Sequence, residues 1–133
     1  MGFTAIGMEY LEDGGLAAFA AAVDGISVHT AEPVEGGDEH LAAAIVTESM
    51  TYNDGSDTAT TDGGVQTDTN AGALYTVTHL GLYAGSTLLW FGLRRNAVGT
   101  AAETVDVGTG YYYPFSAGAI TLTTGDLTDA DLA

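Results

Sequence analysis

Residues 74–95 read LYTVTHLGLYAGSTLLWFGLRR, the most apolar stretch of the chain, holding its only tryptophan, Trp90, and its only cations, Arg94 and Arg95. Val77 to Tyr83 and Thr87 to Phe91 are rich in β-branched and aromatic residues, the side chains that fit a pleated and buried surface. Ala84-Gly85-Ser86 separates them and supplies the glycine that a tight turn needs for positive φ. The pattern predicts a central β-hairpin with both strands largely buried.

Working outward, Leu16, Phe19, Ala20 and Val23 share one helical face, with Asp13 placed to cap its start and Gly25 to end it. A short helix is therefore expected within an N-terminal arm spanning 1–25, set apart by Gly14-Gly15 from any turn at Met8 to Glu12. Gly25 to Thr30 alternates as a strand with Ile26 and Val28 inward, and 35–39 is a loop. Leu41 to Tyr52 carries both helix and strand signals; a strand from about Ala44 to Tyr52 is the preferred reading. Asn53 to Gly64 is dense in turn residues and reads as a surface loop. Val65 to Thr69 suits a short edge strand whose acid discourages edge-to-edge pairing. Asn96 to Ala102 reads as a loop, Val105 and Val107 share a strand face, and Ala119 to Thr123 forms a last strand. Gly125 to Ala133 is an acidic tail. The expected fold is mainly β: an antiparallel, jelly-roll-like β-sandwich with one short N-terminal helix, in a single domain over 1–133.

The 133 residues suffice for one domain with a real core, and 46% are hydrophobic. No run is long enough to span a membrane, and the N-terminal acids argue against a signal peptide. With no cysteine there is neither a disulfide nor a thiolate metal site. Eighteen acids face two arginines and no lysine, a net charge of −16. Self-repulsion at that charge is relieved by concentrated salt, so the simplest explanation is a proteome adapted to molar salt. The same charge argues against binding nucleic acid or anionic lipid, which need lysine and arginine.

Little in the sequence carries chemistry, and an enzyme is not expected. His29 and His79 sit in alternating strands and are read as hydrogen-bonded structural residues, His40 as a solvated loop side chain. No serine lies in a nucleophile elbow, and no histidine spacing suggests a metal centre. Asp54, Asp57 and Asp62 form an acidic loop, a weak candidate site for Mg²⁺ or Ca²⁺, or for K⁺ or Na⁺, although the spacing departs from the EF-hand pattern. Apart from such ions no cofactor is expected. In Tyr111-Tyr112-Tyr113, alternating geometry would bury one ring and expose its neighbours, and exposed tyrosine suits protein interfaces and sugar-binding faces. Arg94 and Arg95 are expected to pair with carboxylates, within the chain or on a neighbouring subunit.

Three stretches in order, GISVHTAEP, TVTHLGLYAGSTLLWFGLRR and YYYPFSAGAITLTT, resemble a family of small tailed-phage virion structural proteins. The matching positions are Val28 to Pro33, Val77 to Tyr83, Leu88 to Gly92 and Phe115 to Leu122. Ser116, the lack of a Gly-Gly-Gly-Tyr-Ala-Arg segment near Leu41, and the acidic tail depart from the family pattern. With the halophilic composition, the resemblance implies a haloarchaeal tailed virus. It implies a non-enzymatic, homo-oligomeric capsid decoration, turret or head-fibre module at the virion surface, touching the major capsid or tail proteins. Arg94, Arg95 and Tyr111 to Tyr113 would then serve subunit contacts, and Phe3 and Ile6 would anchor the arm to the shell. The alternatives are a tail-fibre or baseplate component touching the host surface, or a small carbohydrate-binding or hydrolytic domain.

Overall fold

The 74–95 hairpin forms, and it lies inside the largest sheet. The computed structural model describes residues 2–96 and 101–123. Along the chain run β1 (Gly2–Phe3), α1 (Ala5–Ala22), β2 (Gly25–His29), β3 (Val46–Thr47), β4 (Met50–Asn53), β5 (Thr58–Thr61) and β6 (Val65–Gln66). Then follow β7 (Tyr75–Val77), β8 (His79–Ala84), β9 (Thr87–Leu93), β10 (Val105–Val107), β11 (Pro114–Phe115) and β12 (Thr121–Thr123). The protein is mainly β, with antiparallel sheets and, among the described residues, one helix. The largest sheet has the order β1-β9-β8-β2-β3; β12-β5-β4, β10-β7 and β11-β6 form smaller ones.

Ala84 pairs with Thr87, leaving Gly85-Ser86 as a two-residue turn. Gly85 has φ +60° while Ser86 keeps a negative φ, the pattern of a type II′ turn whose twist suits a hairpin. Leu82 pairs with Trp90 but Tyr83 with Leu88, so Leu89 is a bulge residue. The bulge sends Leu89 into the main core and Leu88 to the other face, beside Tyr83 and Phe91. Beyond β8 the ladder carries on: Arg94 N donates to Thr78 O, and Val105 then pairs with Val77. Along β7, β10 thus continues the ladder that β9 began along β8.

The helix differs from expectation at both ends. It starts at Ala5 because Thr4 is its N-cap, the hydroxyl accepting from Gly7 N at 3.1 Å while donating to Leu88 O at 2.6 Å. Glu35 adds a second cap, its carboxylate accepting from Ala5 N at 3.0 Å. Asp13 is therefore inside the element; Gly14 and Gly15 break it with non-helical dihedrals and the chain resumes as helix. It ends at Ala22, and Gly25 opens β2 instead, where a Cβ would come within 2.7 Å of Ile45 Cγ2.

The segment expected as one strand from Ala44 to Tyr52 is two short strands. Between them Glu48 turns inward, its carboxylate accepting from Ser49 N and Gly63 N, both at 3.0 Å. The stretch Asn53 to Gly64 is not all loop: it completes the β4–β5 hairpin, with Ala59 and Thr61 buried. Such small side chains give no strong hydrophobic period. The edge strand expected at Val65 to Thr69 is confined to β6, and the final strand to β12. The tail at 125–133 lies outside the described residues.

One apolar cluster joins the layers. Ile26 and Leu82 from the large sheet, Ala59 and Leu122 from the three-stranded sheet, and Leu16 and Phe19 from the helix all belong to it. The helix packs on β9, β4 and β5. On the opposite face of the large sheet, Tyr83, Leu88 and Phe91 form a second buried cluster with Ile45 against it.

Candidate functional site

An open groove of about 1130 Å³ runs between the end of β9, β10 and the segment from Gly108 to Thr121. Arg94, Arg95 and Tyr111 to Tyr113 all line it, so the structure brings these sequence candidates together. Their situations differ.

Tyr113 is 9% exposed. Its backbone N–H donates to Thr67 Oγ1 at 2.8 Å, its carbonyl accepts from Thr67 N at 2.9 Å, and its ring packs on Phe115 at 5.1 Å. Its hydroxyl accepts from Arg94 Nε at 2.7 Å. Arg94 Nη1 donates to the Glu103 carbonyl at 3.0 Å and to its carboxylate at 3.2 Å. The Arg94 guanidinium carbon lies 5.7 Å from the Tyr113 centroid, near the outer limit of cation–π attraction, so the hydrogen bond is the main link. Burial works to lower the Arg94 pKa, but its bonds to Tyr113 and Glu103 outweigh this and raise it. Tyr113 and Arg94 are thus satisfied inside the chain. The Tyr113 ring is part of the chain's own core and turns only its edge to the groove.

Tyr111 and Tyr112 are the outward pair, 70% and 45% exposed. Although they lie outside any strand, their backbone is pinned. Asn70 N donates to Tyr111 O at 2.7 Å, Asn70 O accepts from Gly110 N at 2.8 Å, and Asn70 Nδ2 donates to Val107 O at 3.0 Å. Gly110, at φ +87°, permits the turn. Two amphipathic rings are thereby presented on ordered backbone, a low-entropy way to offer contact area. Arg95 is exposed nearby, and its side chain has no ion-pair partner among the described residues. Among the described residues a single acid lines the groove, Asp106, which accepts from Thr76 Oγ1 at 2.6 Å. In the groove wall Trp90 is buried, and its Nε1 has no hydrogen-bond partner among the described residues.

The remaining candidates separate. Phe3 is 1% exposed and meets Phe19 edge-on at 5.2 Å, so it fastens the arm to the chain's own core. Ile6, 38% exposed, stays on the surface. Asp54 and Asp57 lie at the β4–β5 turn, whereas Asp62 follows the far end of β5, so the hairpin holds them apart. Asp57 accepts from Tyr52 Oη at 2.6 Å; Asp62 accepts from the hydroxyls of Ser49 and Thr51, which lowers its pKa. The three aspartates do not converge on one point. Among the described residues no group of three metal-ligating side chains occurs.

Behind the large sheet His29 and His79 are hydrogen-bonded structural residues, as the sequence reading expected, but that reading missed the partners Ser27, Glu39 and Tyr83. The His29 and His79 backbones pair directly and the two residues share that face. His29 Nδ1 donates to the Glu39 carbonyl at 2.6 Å, which leaves Nε2 to accept from Ser27 Oγ, also at 2.6 Å. Tyr83 Oη donates to the Glu39 carboxylate at 2.6 Å, and its ring stacks on His29 at 6.2 Å. Burial depresses the His29 pKa, only partly opposed by the Glu39 carbonyl. Burial likewise pushes the Tyr83 phenol well up. A hydroxyl donating to a carbonyl-oriented imidazole has the order of an activated nucleophile. Ser27 and His29 are fully buried, however, so in this conformation the cluster ties the loop at Glu39 to the sheet. The strand alternation around His29 was its visible trace.

No protein-family model, curated protein or solved structure matches this chain.

Proposed function

We propose that the protein is a non-enzymatic structural module of a tailed-virus virion suited to molar salt, assembling as a homo-oligomeric capsid decoration, turret or head fibre. One observation carries the reading. The chain's only two cations and its two most exposed tyrosines share one concave face of a molecule whose net charge is −16. Like-charged copies meet at lowest cost where acids are fewest, and tyrosine and arginine are the residues enriched at interfaces.

The segments that resemble the virion family support it further. Val28 to Pro33 holds the last two residues of β2, and Val77 to Tyr83 and Leu88 to Gly92 hold most of β8 and β9, the central hairpin of the fold. The jelly-roll-like sandwich belongs to the same reading, supported by the cluster in which Ile26 and Leu82 share a core with Ala59 and Leu122. The sealed Ser27–His29 pair is consistent with a structural role rather than catalysis.

The test is molar mass by light scattering, in molar KCl and in dilute buffer, for the native protein and Arg95→Glu. A defined oligomer in high salt that Arg95→Glu weakens supports the reading; a monomer under both conditions overturns it. Exposure of Tyr111 and Tyr112 also favours a second reading, a tail-fibre or baseplate component touching the host surface. Retention of the purified protein on host envelopes, lost in Tyr111→Ala/Tyr112→Ala, distinguishes that role.

A further inference from the structure

We infer that the groove receives an extended, carboxylate-bearing segment of a neighbouring copy, which adds as a strand beside β10 and sets an acid on Arg95. This rests on the homo-oligomeric reading above and specifies its contact.

The backbone comes first. β10 pairs with β7 on one side, and no strand flanks its other side among the described residues. Along the same ladder β9 is flanked by β1, but only at Trp90 and Phe91. The position that β1 starts to fill beside β9 is therefore not filled beside β10, and β10 lines the groove. A strand with one neighbour offers N–H and C=O groups that an incoming extended chain can pair with, the mode of β-strand addition.

Side chains then select the occupant. Arg94 is already committed to Tyr113 and Glu103, whereas Arg95 has no ion-pair partner among the described residues, although the chain carries eighteen acids. An incoming carboxylate matches it bidentately. Leu93, Tyr111 and Tyr112 are three of the seven large exposed apolar residues among the described residues, and all three line the groove. They suit the apolar side chains that alternate with the acids of an extended segment. A second copy has eighteen acids and only two arginines, so what it presents most often is a carboxylate that fits Arg95.

Photo-crosslinking in molar KCl tests this, with Tyr112 replaced by p-benzoylphenylalanine and oligomers assembled from equal amounts of ¹⁴N- and ¹⁵N-labelled chains. Exposure of Tyr112 makes the replacement compatible with folding, and light scattering on the same sample reports assembly. The expected result is heavy–light crosslinks gathered in one acid-containing segment, their yield reduced at least tenfold by Arg95→Glu and largely retained in Arg95→Lys. Oligomers whose crosslinks are scattered, lie within one copy, or join groove to groove overturn this inference and leave the assembly reading standing. A monomer overturns both.

Discussion

Gly7→Ala offers a decisive test of how the helix meets the sheet. Ala is the better helix former by about 1 kcal/mol, so an isolated helix gains from the change. Here a Cβ on Gly7 would lie 2.1 Å from Leu89 O and 3.0 Å from its carbonyl carbon. Ordinary carbon–oxygen contacts need about 3.3 Å, so the first turn must retreat by roughly 1 Å. The obstacle is backbone and cannot rotate away. The turn is also fastened by Thr4 Oγ1 donating to Leu88 O at 2.6 Å and Thr4 N to Leu89 O at 3.0 Å. Overpacking costs about 1–3 kcal/mol and each weakened hydrogen bond about 1 kcal/mol, which after the propensity gain leaves roughly 2–4 kcal/mol of destabilisation. At a urea slope of about 1–2 kcal/mol/M the unfolding midpoint falls by roughly 2 M, measured by circular dichroism in molar KCl. Glu9→Ala, exposed on the same helix, is the control and should stay within about 0.5 kcal/mol. An unchanged or raised midpoint for Gly7→Ala would refute the close approach of α1 to β9.

Other perturbations probe the caps, the groove and the buried histidine. Thr4→Ala removes the N-cap oxygen and a buried donor, and should cost about 2 kcal/mol in the same urea experiment. Tyr113→Phe deletes the acceptor of Arg94 Nε and should cost about 1 kcal/mol, with a shifted Arg94 guanidinium Nε–H resonance as its specific readout. His29 and His79 both have folded pKa values below the ordinary 6.5, mainly through burial, so the unfolded chain binds their protons more readily. Their contribution is complete above about pH 6.5 and falls as pH drops toward the folded values. Urea midpoints for the native protein should decline between pH 7.5 and 5.5, and His29→Gln should flatten that decline. An identical slope in His29→Gln and His79→Gln would show that the histidines do not set it.

The central hairpin was legible because its evidence is local: two β-rich runs, a glycine turn and a length that fits both strands. The alternation at Ile26 and Val28 was equally plain. Thr4 was not, since its capping role depends on Leu88 lying across from it, a contact spanning 84 residues. β5 hid inside a turn-rich stretch because Thr58-Ala59-Thr60-Thr61 buries small side chains that any hydropathy pattern discounts. Among the site candidates, alternation in the tyrosine triplet would have put one ring in and its neighbours out. The chain there is not a strand, however, and two adjacent rings face out while Tyr113 goes in. Which ring goes in was decided by Thr67 and Arg94, remote in sequence. The three aspartates looked like a cluster because they are near in sequence, and the hairpin between them is what separates them.

The docking of β1 and α1 on β9 has a consequence for synthesis. Phe3 pairs with Trp90, and Thr4 bonds to the carbonyls of Leu88 and Leu89. During translation the arm therefore leaves the ribosome long before its partner exists. Until β9 has cleared the exit tunnel, Phe3, Leu16 and Phe19 have no sheet to cover them. Such long-range closure slows folding and leaves apolar surface open meanwhile. Nascent chains stalled before residue 93 should expose the arm to protease and to chaperones, and those released beyond it should protect it.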